Sequence, residues 1–381
     1  MNDTALGAIA LHLPDNMRGS IMKAFYTLND RKYIRVHTNF PLHRHGILSM
    51  LGLPNSSDIT RDQVQEAFKQ WDASAFEEKA VEFRMCAFTL RTFDEWDNHP
   101  QGLAIKNEPP RKVSSLSSSC LHPLANNKLL DLSRVLAGPV AERTLAAHGA
   151  DVLLVTSPNL PALPDLDVDT SQGKRTTQID LTLAEDKEKL QRLIFDADVF
   201  LQAYRPGALE GKGFGTHEVF DSLVQTATGF NAAESQAYAG FQRSLVSLLR
   251  PKPFPVQALD HAAGYLLAYG VNVALCKTLT IRGWLMGSSL AAVAQWLRSL
   301  GRVLPEVGFG QAAKPMPSIT SPPDLEVSDL SSEWGLSHTS SDGKIMTALK
   351  HAAILSETPV KEATAPISLN SSLPEWLPLS V

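Results

Sequence analysis

The sequence has 381 residues, 44% hydrophobic and 20% charged, which is enough apolar material for a sizeable core and about two domains by the usual size of a folding unit. A formal net charge of −5 with no basic run argues against nucleic acid as a partner, because phosphate backbones call for a concentrated positive surface. Cys86, Cys120 and Cys276 lie far apart and form no CxxC pair, which argues against a zinc or dithiol site and fits a reducing compartment.

The opening stretch MNDTALGAIALHLP has neither the basic start of a secretory leader nor a following run of about 18 apolar residues, so no membrane partner is expected. The expected location is the cytoplasm, with organelle import left open. AFYTL and KYIRVHT alternate apolar and polar positions around Asn29-Asp30, which predicts a hairpin, and Pro41 opens a helix. Thr60 with Gln63 forms a capping box for TRDQVQEAFKQW, ASAFEEKAVEF continues as a second amphipathic helix, and MCAFTLR reads as a strand. These elements make a small α+β domain over residues 1–108. Residues 109–125, centred on SSLSSSC, show no hydrophobic period and read as an interdomain linker.

Strand and helix then alternate over residues 126–312. KLLDL is a strand, GPVAERTLAAHG a helix with Pro139 in its first turn and Gly149 as its stop, and DVLLVT the next strand. TQIDL leads to Thr182, which with Glu185 forms a second capping box for LAEDKEKLQRLIF, and DVFLQA follows as a strand. This order predicts an α/β fold built on a parallel, Rossmann-like sheet. EVFDSLVQTATG, DHAAGYLLAYGVNVALCKTL and SLAAVAQWLRSLG are helical, and the Ser- and Pro-rich residues 313–381 read as a partly ordered tail.

The chemistry-bearing candidates are few. GxSxG, GxxxxGK[ST], HExxH and GxGxxG motifs are missing, and His37, His43 and His45 lack carboxylate neighbours, so no metal is expected. Asp260 in ALDHAAGYLL opens a helical run, a position that suits either a helix cap or a carboxylate nucleophile. Arg134, Val135, Leu136 and Ala137 sit where a strand hands over to a helix, so backbone N–H groups there can face a phosphate or a thioester oxygen. Lys174, Arg175 and Arg205 are cations suited to phosphate oxygens, or else solvated surface charges.

The blocks LLDLSRVLAGPVAERTLAAHGADVLLVTSP, GKRTTQIDL and DADVFLQAYRPGALEGKGFG, then FDSLVQTATGF, PVQALDHAAGYLLAYG and SLAAVAQWLRSLGR, stand in the order of a known family. They resemble the family III coenzyme A transferases, the CaiB and BaiF group that includes formyl-CoA transferase and α-methylacyl-CoA racemase. The resemblance covers residues 126–303. FYTLNDRKYIRVHTNFPLHRHGILSMLG and FTLRTFDEWDNHPQG resemble the family's small distal domain, here ahead of the nucleotide domain. Between Phe214 and Phe220 the family has a further helix and strand, for which this sequence has only residues 215–219, and the family's glycine-rich loop over the acyl group has no counterpart.

The resemblance implies a Rossmann-like domain that binds coenzyme A, and movement of coenzyme A between carboxylic acids. Asp260 matches the family's nucleophilic aspartate, whose carboxylate attacks an acyl-CoA thioester, forms an acyl-aspartyl anhydride and releases a thiolate that later re-forms a thioester with another acid. The turn at residues 134–137 lines the coenzyme site, and Leu136 stands where formyl-CoA transferase has glutamine. Lys174, Arg175 and Arg205 are implied phosphate contacts, with Tyr204 and Pro206 along the adenine or pantetheine path. No covalently bound cofactor is implied, coenzyme A is a cosubstrate, and the family assembles as dimers. Two rivals stand beside this reading: a degenerate homologue that binds coenzyme A or serves in assembly, and a racemase of the same fold. Racemases place a histidine where this sequence has Phe220, which cannot take a proton, and His261 points about 100° away from Asp260 on a helix.

Overall fold

A computed structural model describes residues 25–115, 127–203, 220–242, 250–254, 257–278, 284–310, 331–335, 345–349, 351 and 366–378. Strands β1 (Phe25–Thr27) and β2 (Tyr33–Val36) precede helices α1 (Pro41–Met50), α2 (Arg61–Phe68) and α3 (Ala73–Glu82), strand β3 (Ala87–Thr89), and helices α4 (Phe93–Asp97) and α5 (Pro100–Ile105). Next come β4 (Arg111–Ser115), β5 (Lys128–Leu132), α6 (Ala137–Ala147), β6 (Asp151–Thr156), α7 (Pro164–Thr170), β7 (Arg175–Gln178), α8 (Ala184–Phe195) and β8 (Val199–Gln202). The rest comprises α9 (Asp221–Ala227), α10 (Phe230–Phe241), α11 (Ala258–Thr278), β9 (Trp284–Ser288), α12 (Leu290–Ser299), α13 (Pro305–Phe309), β10 (Ser331–Gly335) and β11 (Ile345–Leu349).

The chain divides into two units whose boundaries differ from the expected ones: Met1–Pro110 with Val219–Leu259 and Ser289–Met316, and Arg111–Glu218 with Asp260–Ser288 and Pro317–Val381. In the first unit the expected hairpin forms around Asn29-Asp30, with Thr27 opposite Tyr33, and β3 pairs antiparallel with β2. Tyr26, Ile34, Phe68 and Phe76 are fully buried between this sheet and α2 and α3, and Thr60 and Gln63 form the expected capping box. Helices α9 and α10 join this unit for a specific reason. Arg35 on β2 is buried and donates to the Ser222 carbonyl and the Asn231 side chain, while the Arg91 N–H reaches the Thr226 carbonyl. Burial pulls the Arg35 guanidinium down to about 10, against the charge of Asp221.

The second unit is built on a four-stranded parallel sheet of order β7-β6-β5-β8. Successive residues of a strand point to opposite faces, and both faces here are covered, so the strands read as continuous apolar runs. Leu129 and Val152 meet Ala141 and Leu145 of α6 and Ala268, Val271 and Leu275 of α11. Leu130 and Leu153, one residue on, meet Leu190 and Leu193 of α8.

Two expectations are corrected. The capping box at Thr182 does not form: the Asp180 carboxylate accepts from the Thr182 N–H and hydroxyl, and α8 begins at Ala184 with Leu183 as its cap residue. Residues 111–115 of the expected linker form β4, which pairs antiparallel with β9, while residues 116–126 lie outside the described residues. In the expected tail, β10 pairs with β11, and residues 366–378 run along the edge strand β7. The Ser372 N–H donates to the Thr176 carbonyl, the Thr176 hydroxyl to the Ser368 carbonyl, and the Gln178 N–H to the Asn370 side chain, so backbone groups of an otherwise open edge are paired. Trp376 packs against the α8 side of the core and donates to the Leu193 carbonyl. Among the described residues no helix is long and apolar enough to cross a membrane.

The docking of residues 366–378 is testable. Trp376→Ala is expected to lower stability by about 1–2 kcal/mol in a urea titration, the loss for a half-buried aromatic side chain. An unchanged midpoint would detach this segment from the fold.

Candidate active site

In a sheet of this order, crossovers run in opposite directions from β5, and the crevice beyond the carboxyl ends of β5 and β8 is where such folds take ligands. The turn leaving β5 lies at that point. Val135 holds φ at 73°, a left-handed value that a β-branched residue adopts at a strain of about 1–3 kcal/mol. Leu136 precedes α6 and supplies no side-chain cap, so the first N–H groups of an 11-residue helix receive no acceptor from that residue. Gly138 lets the turn close: a Cβ there would sit 2.4 Å from the Ser133 Cβ.

A buried charge cluster anchors both ends of this turn. At the end of β5, one oxygen of Asp131 accepts from the Ser133 N–H at 2.8 Å and the Ser133 hydroxyl at 2.5 Å. The other accepts from the Lys174 ammonium at 2.7 Å, and Lys174 also donates to the Pro139 carbonyl at 3.0 Å. Both charged side chains are fully buried. Glu142, one turn into α6, is also fully buried, and neither of its oxygens has a hydrogen-bond partner among the described residues. Burial, and then the Asp131 charge, push its carboxyl well above the ordinary 4.5 against the pull of Lys174, which favours the neutral acid.

Helix α11 starts at Ala258, so Asp260 lies inside its first turn rather than at the cap, three residues after Gln257 with φ at 51°. Asp260 is 6% exposed. Four residues on, Gly264 lies against α6: a Cβ at 264 would come within 2.8 Å of the Ala137 carbonyl and of Val140 Cβ. Asp260 thus precedes the contact with Ala137 by about 6 Å of helix rise. His261 faces the Arg143–Asp169 ion pair, and burial together with Arg143 holds its imidazole below the ordinary range.

The expected phosphate cations fare differently. Lys174 is sealed in the cluster, and Arg175 makes paired contacts with the Asp151 carboxylate at 2.8 Å and donates to the Glu375 carbonyl, so both have internal partners. Arg134 is half exposed and donates to the Pro161 carbonyl. Burial raises Asp167 nearby, against the Leu163 N–H and the charges of Arg134 and Lys174. Leu136 is buried and Ala137 half exposed. Tyr204, Arg205 and Pro206 lie outside the described residues, as does the shortened stretch 215–219. In the first unit, Phe220 stacks on His37 with ring centroids 3.8 Å apart; His43 is buried and His45 exposed. Among the described residues no group of three or more His, Cys, Asp or Glu could hold a metal ion.

Comparison with known proteins bears on this geometry. Residues 124–221, which contain the whole of the turn and the charge cluster, match the family model described as CoA-transferase family III. In this stretch the chain is similar to the family III CoA-transferases. It is 30% identical over 247 residues to the acetyl-coenzyme A transferase nodX of Hypoxylon pulicicidum, covering 59% of this chain and 41% of that one. It is 27% identical over 215 residues to an acyl-CoA transferase of Gibberella moniliformis, covering 50% and 37%. The chain therefore spans less than half the length of either relative. A crystal structure of Rv3272 from Mycobacterium tuberculosis superposes with a TM-score of 0.46 at 19% identity, over 65% of this chain and 97% of that one.

Asp131, Glu142 and Gly264 escaped the sequence reading. Asp131 and Glu142 lie inside apolar runs, where a charge signals burial with a partner, and a glycine four residues after a candidate nucleophile signals close helix packing. The strain at Val135 has no sequence signal.

Glu142 generates a pH prediction. The folded chain keeps a proton that the unfolded chain releases above 4.5, so stability falls as pH rises from there toward the folded-state value. Glu142→Gln removes the titration while keeping the shape. The slope of melting temperature against pH from about 5 to about 9 is expected to be shallower in the variant, and parallel curves would mean that Glu142 does not carry the proton.

Proposed function

We propose that the chain is an acyl-CoA transferase-like enzyme that moves coenzyme A between carboxylic acids through an acyl group carried on Asp260. The observation that carries this reading is the seating of Gly264 on Ala137, with Asp260 one helical turn ahead of it in the unit that bears the β5 turn. The match of residues 124–221 to the family supports it from the sequence side.

The chemistry runs as follows. The Asp260 carboxylate attacks the thioester carbonyl, the C–S bond breaks, and coenzyme A leaves as a thiolate while the acyl group stays on Asp260 as a mixed anhydride. The thiolate then attacks the Asp260 carbonyl of the anhydride, which releases the donor carboxylate and leaves an aspartyl-CoA thioester. The acceptor carboxylate attacks that thioester and expels the thiolate to give a second anhydride, and the thiolate attacks its acceptor carbonyl, releasing the new thioester and the Asp260 carboxylate. The first turn of a 21-residue helix favours a negative charge, which suits a carboxylate nucleophile. The N–H groups at the start of α6 suit the thioester oxygen or a phosphate of the coenzyme, with Arg134 as a cation at the same turn. Buried Leu136 supplies no hydrogen bond to a small polar acceptor such as oxalate. The proposal includes acyl-CoA and a free carboxylic acid as partners, a homodimer as the assembly, and no covalently bound cofactor. Racemisation is the weaker reading, because Phe220 offers no proton acceptor and is stacked on His37.

The test is trapping. Incubated with acetyl-CoA and then hydroxylamine, the protein should yield a hydroxamate at Asp260, and Asp260→Asn should fold and lose at least about a thousandfold in turnover. A parent that binds coenzyme A without yielding a hydroxamate would be a binding homologue and not a transferase.

A further inference from the structure

The contacts of the buried pair suggest a function beyond neutralising charge. Asp131 grips Ser133 at the start of the turn, and Lys174 grips Pro139 at its end, so one ion pair spans a segment that contains Val135, which sits in the left-handed region. Neither contact can be replaced by solvent, because both charged side chains are fully buried. The same short segment is the floor on which α11 rests at Gly264. A backbone held in an unfavourable conformation persists only where its surroundings over-determine it, and no other buried cation among the described residues bonds to this turn.

We infer that Asp131 and Lys174, acting through Ser133 and Pro139, are positioning residues that hold the turn at 133–137 in the form that receives coenzyme A and seats the Asp260-bearing helix. Neither residue touches substrate. Lys174 supports the coenzyme site from beneath, through the backbone, in place of the direct phosphate contact its charge suggested. The inference rests on the proposed transferase reading for its coenzyme arm and on geometry alone for its conformational arm.

Two variants test it in the full-length chain. Ser133→Ala removes only the hydroxyl held by Asp131 and keeps the ion pair, so it should fold; Lys174→Met removes the ammonium and tests the other end if it folds. Hydrogen exchange followed by mass spectrometry should show faster exchange at residues 134–138 in Ser133→Ala, with the sheet strands protected as in the parent. Coenzyme A affinity, measured by calorimetry, should fall about tenfold, the scale expected when a binding backbone loses its support. Unchanged exchange at 134–138 in folded Ser133→Ala would overturn the inference. So would faster exchange with parental affinity for coenzyme A. If the parent itself binds no coenzyme A, the transferase reading fails, and the exchange experiment alone decides whether the pair holds the turn.

Discussion

A lysine ammonium shut away from water has to be matched, and in this chain everything at the end of β5 follows from how Lys174 is matched. Its counter-charge is Asp131, the last residue but one of the strand, and its remaining hydrogen bond goes to a carbonyl in the first turn of α6. Taking away one member of such a pair leaves an uncompensated buried charge, worth about 3–5 kcal/mol, against a whole-domain stability of about 5–15 kcal/mol. The neutral form of Glu142 completes the arrangement. An ionised Glu142 would give the cluster a net negative charge with no donor to receive it, and the proton relieves that.

From this tie the packing follows in steps. Closing the chain from β5 into α6 within a few residues forces Val135 to a positive φ and leaves no room for a Cβ at 138. The closed turn exposes the Ala137 carbonyl and Val140 as a flat seat, and only a glycine at 264 lets α11 lie on it. Beyond that contact Ala268, Val271 and Leu275 continue the buried stripe at helical spacing onto the same face of the sheet as Ala141 and Leu145.

How much of this could be read in the sequence depends on the range of the interaction. The hairpin at Asn29-Asp30, the cap at Thr60 and the alternation of strand and helix from Lys128 to Gln202 are local patterns, and each is present. The cap at Thr182 failed because Asp180, two residues upstream, bids for the same hydroxyl. Non-local effects were less legible. The Arg35 contacts that draw α9 and α10 to the antiparallel sheet join residues 187 and 196 positions apart, and the strap along β7 joins residues 192 positions apart. Lys174 and Arg175 illustrate the limit most plainly. Adjacent cations in a polar stretch look like phosphate ligands, yet one faces the core and the other an aspartate on the neighbouring strand, because consecutive strand-entry residues point in opposite directions.

Four carboxylates belong to the elements around the β5 turn, and their surroundings differ. A nucleophile must be ionised and must have an oxygen available to the thioester carbonyl. Glu142 is fully buried in the interior of α6, where burial disfavours its ionised form. Asp131 is charged, but one oxygen holds Ser133 and the other Lys174, so attack through either would break the tie that shapes the turn. Asp167 accepts the Leu163 N–H, and burial works against its charge. Asp260 alone of the acidic residues near the turn sits in the first turn of a long helix, on the element that packs directly against Ala137. The proposed acyl transfer places the nucleophile on Asp260, and the task inferred for Asp131 is to keep the backbone of the β5 turn in shape.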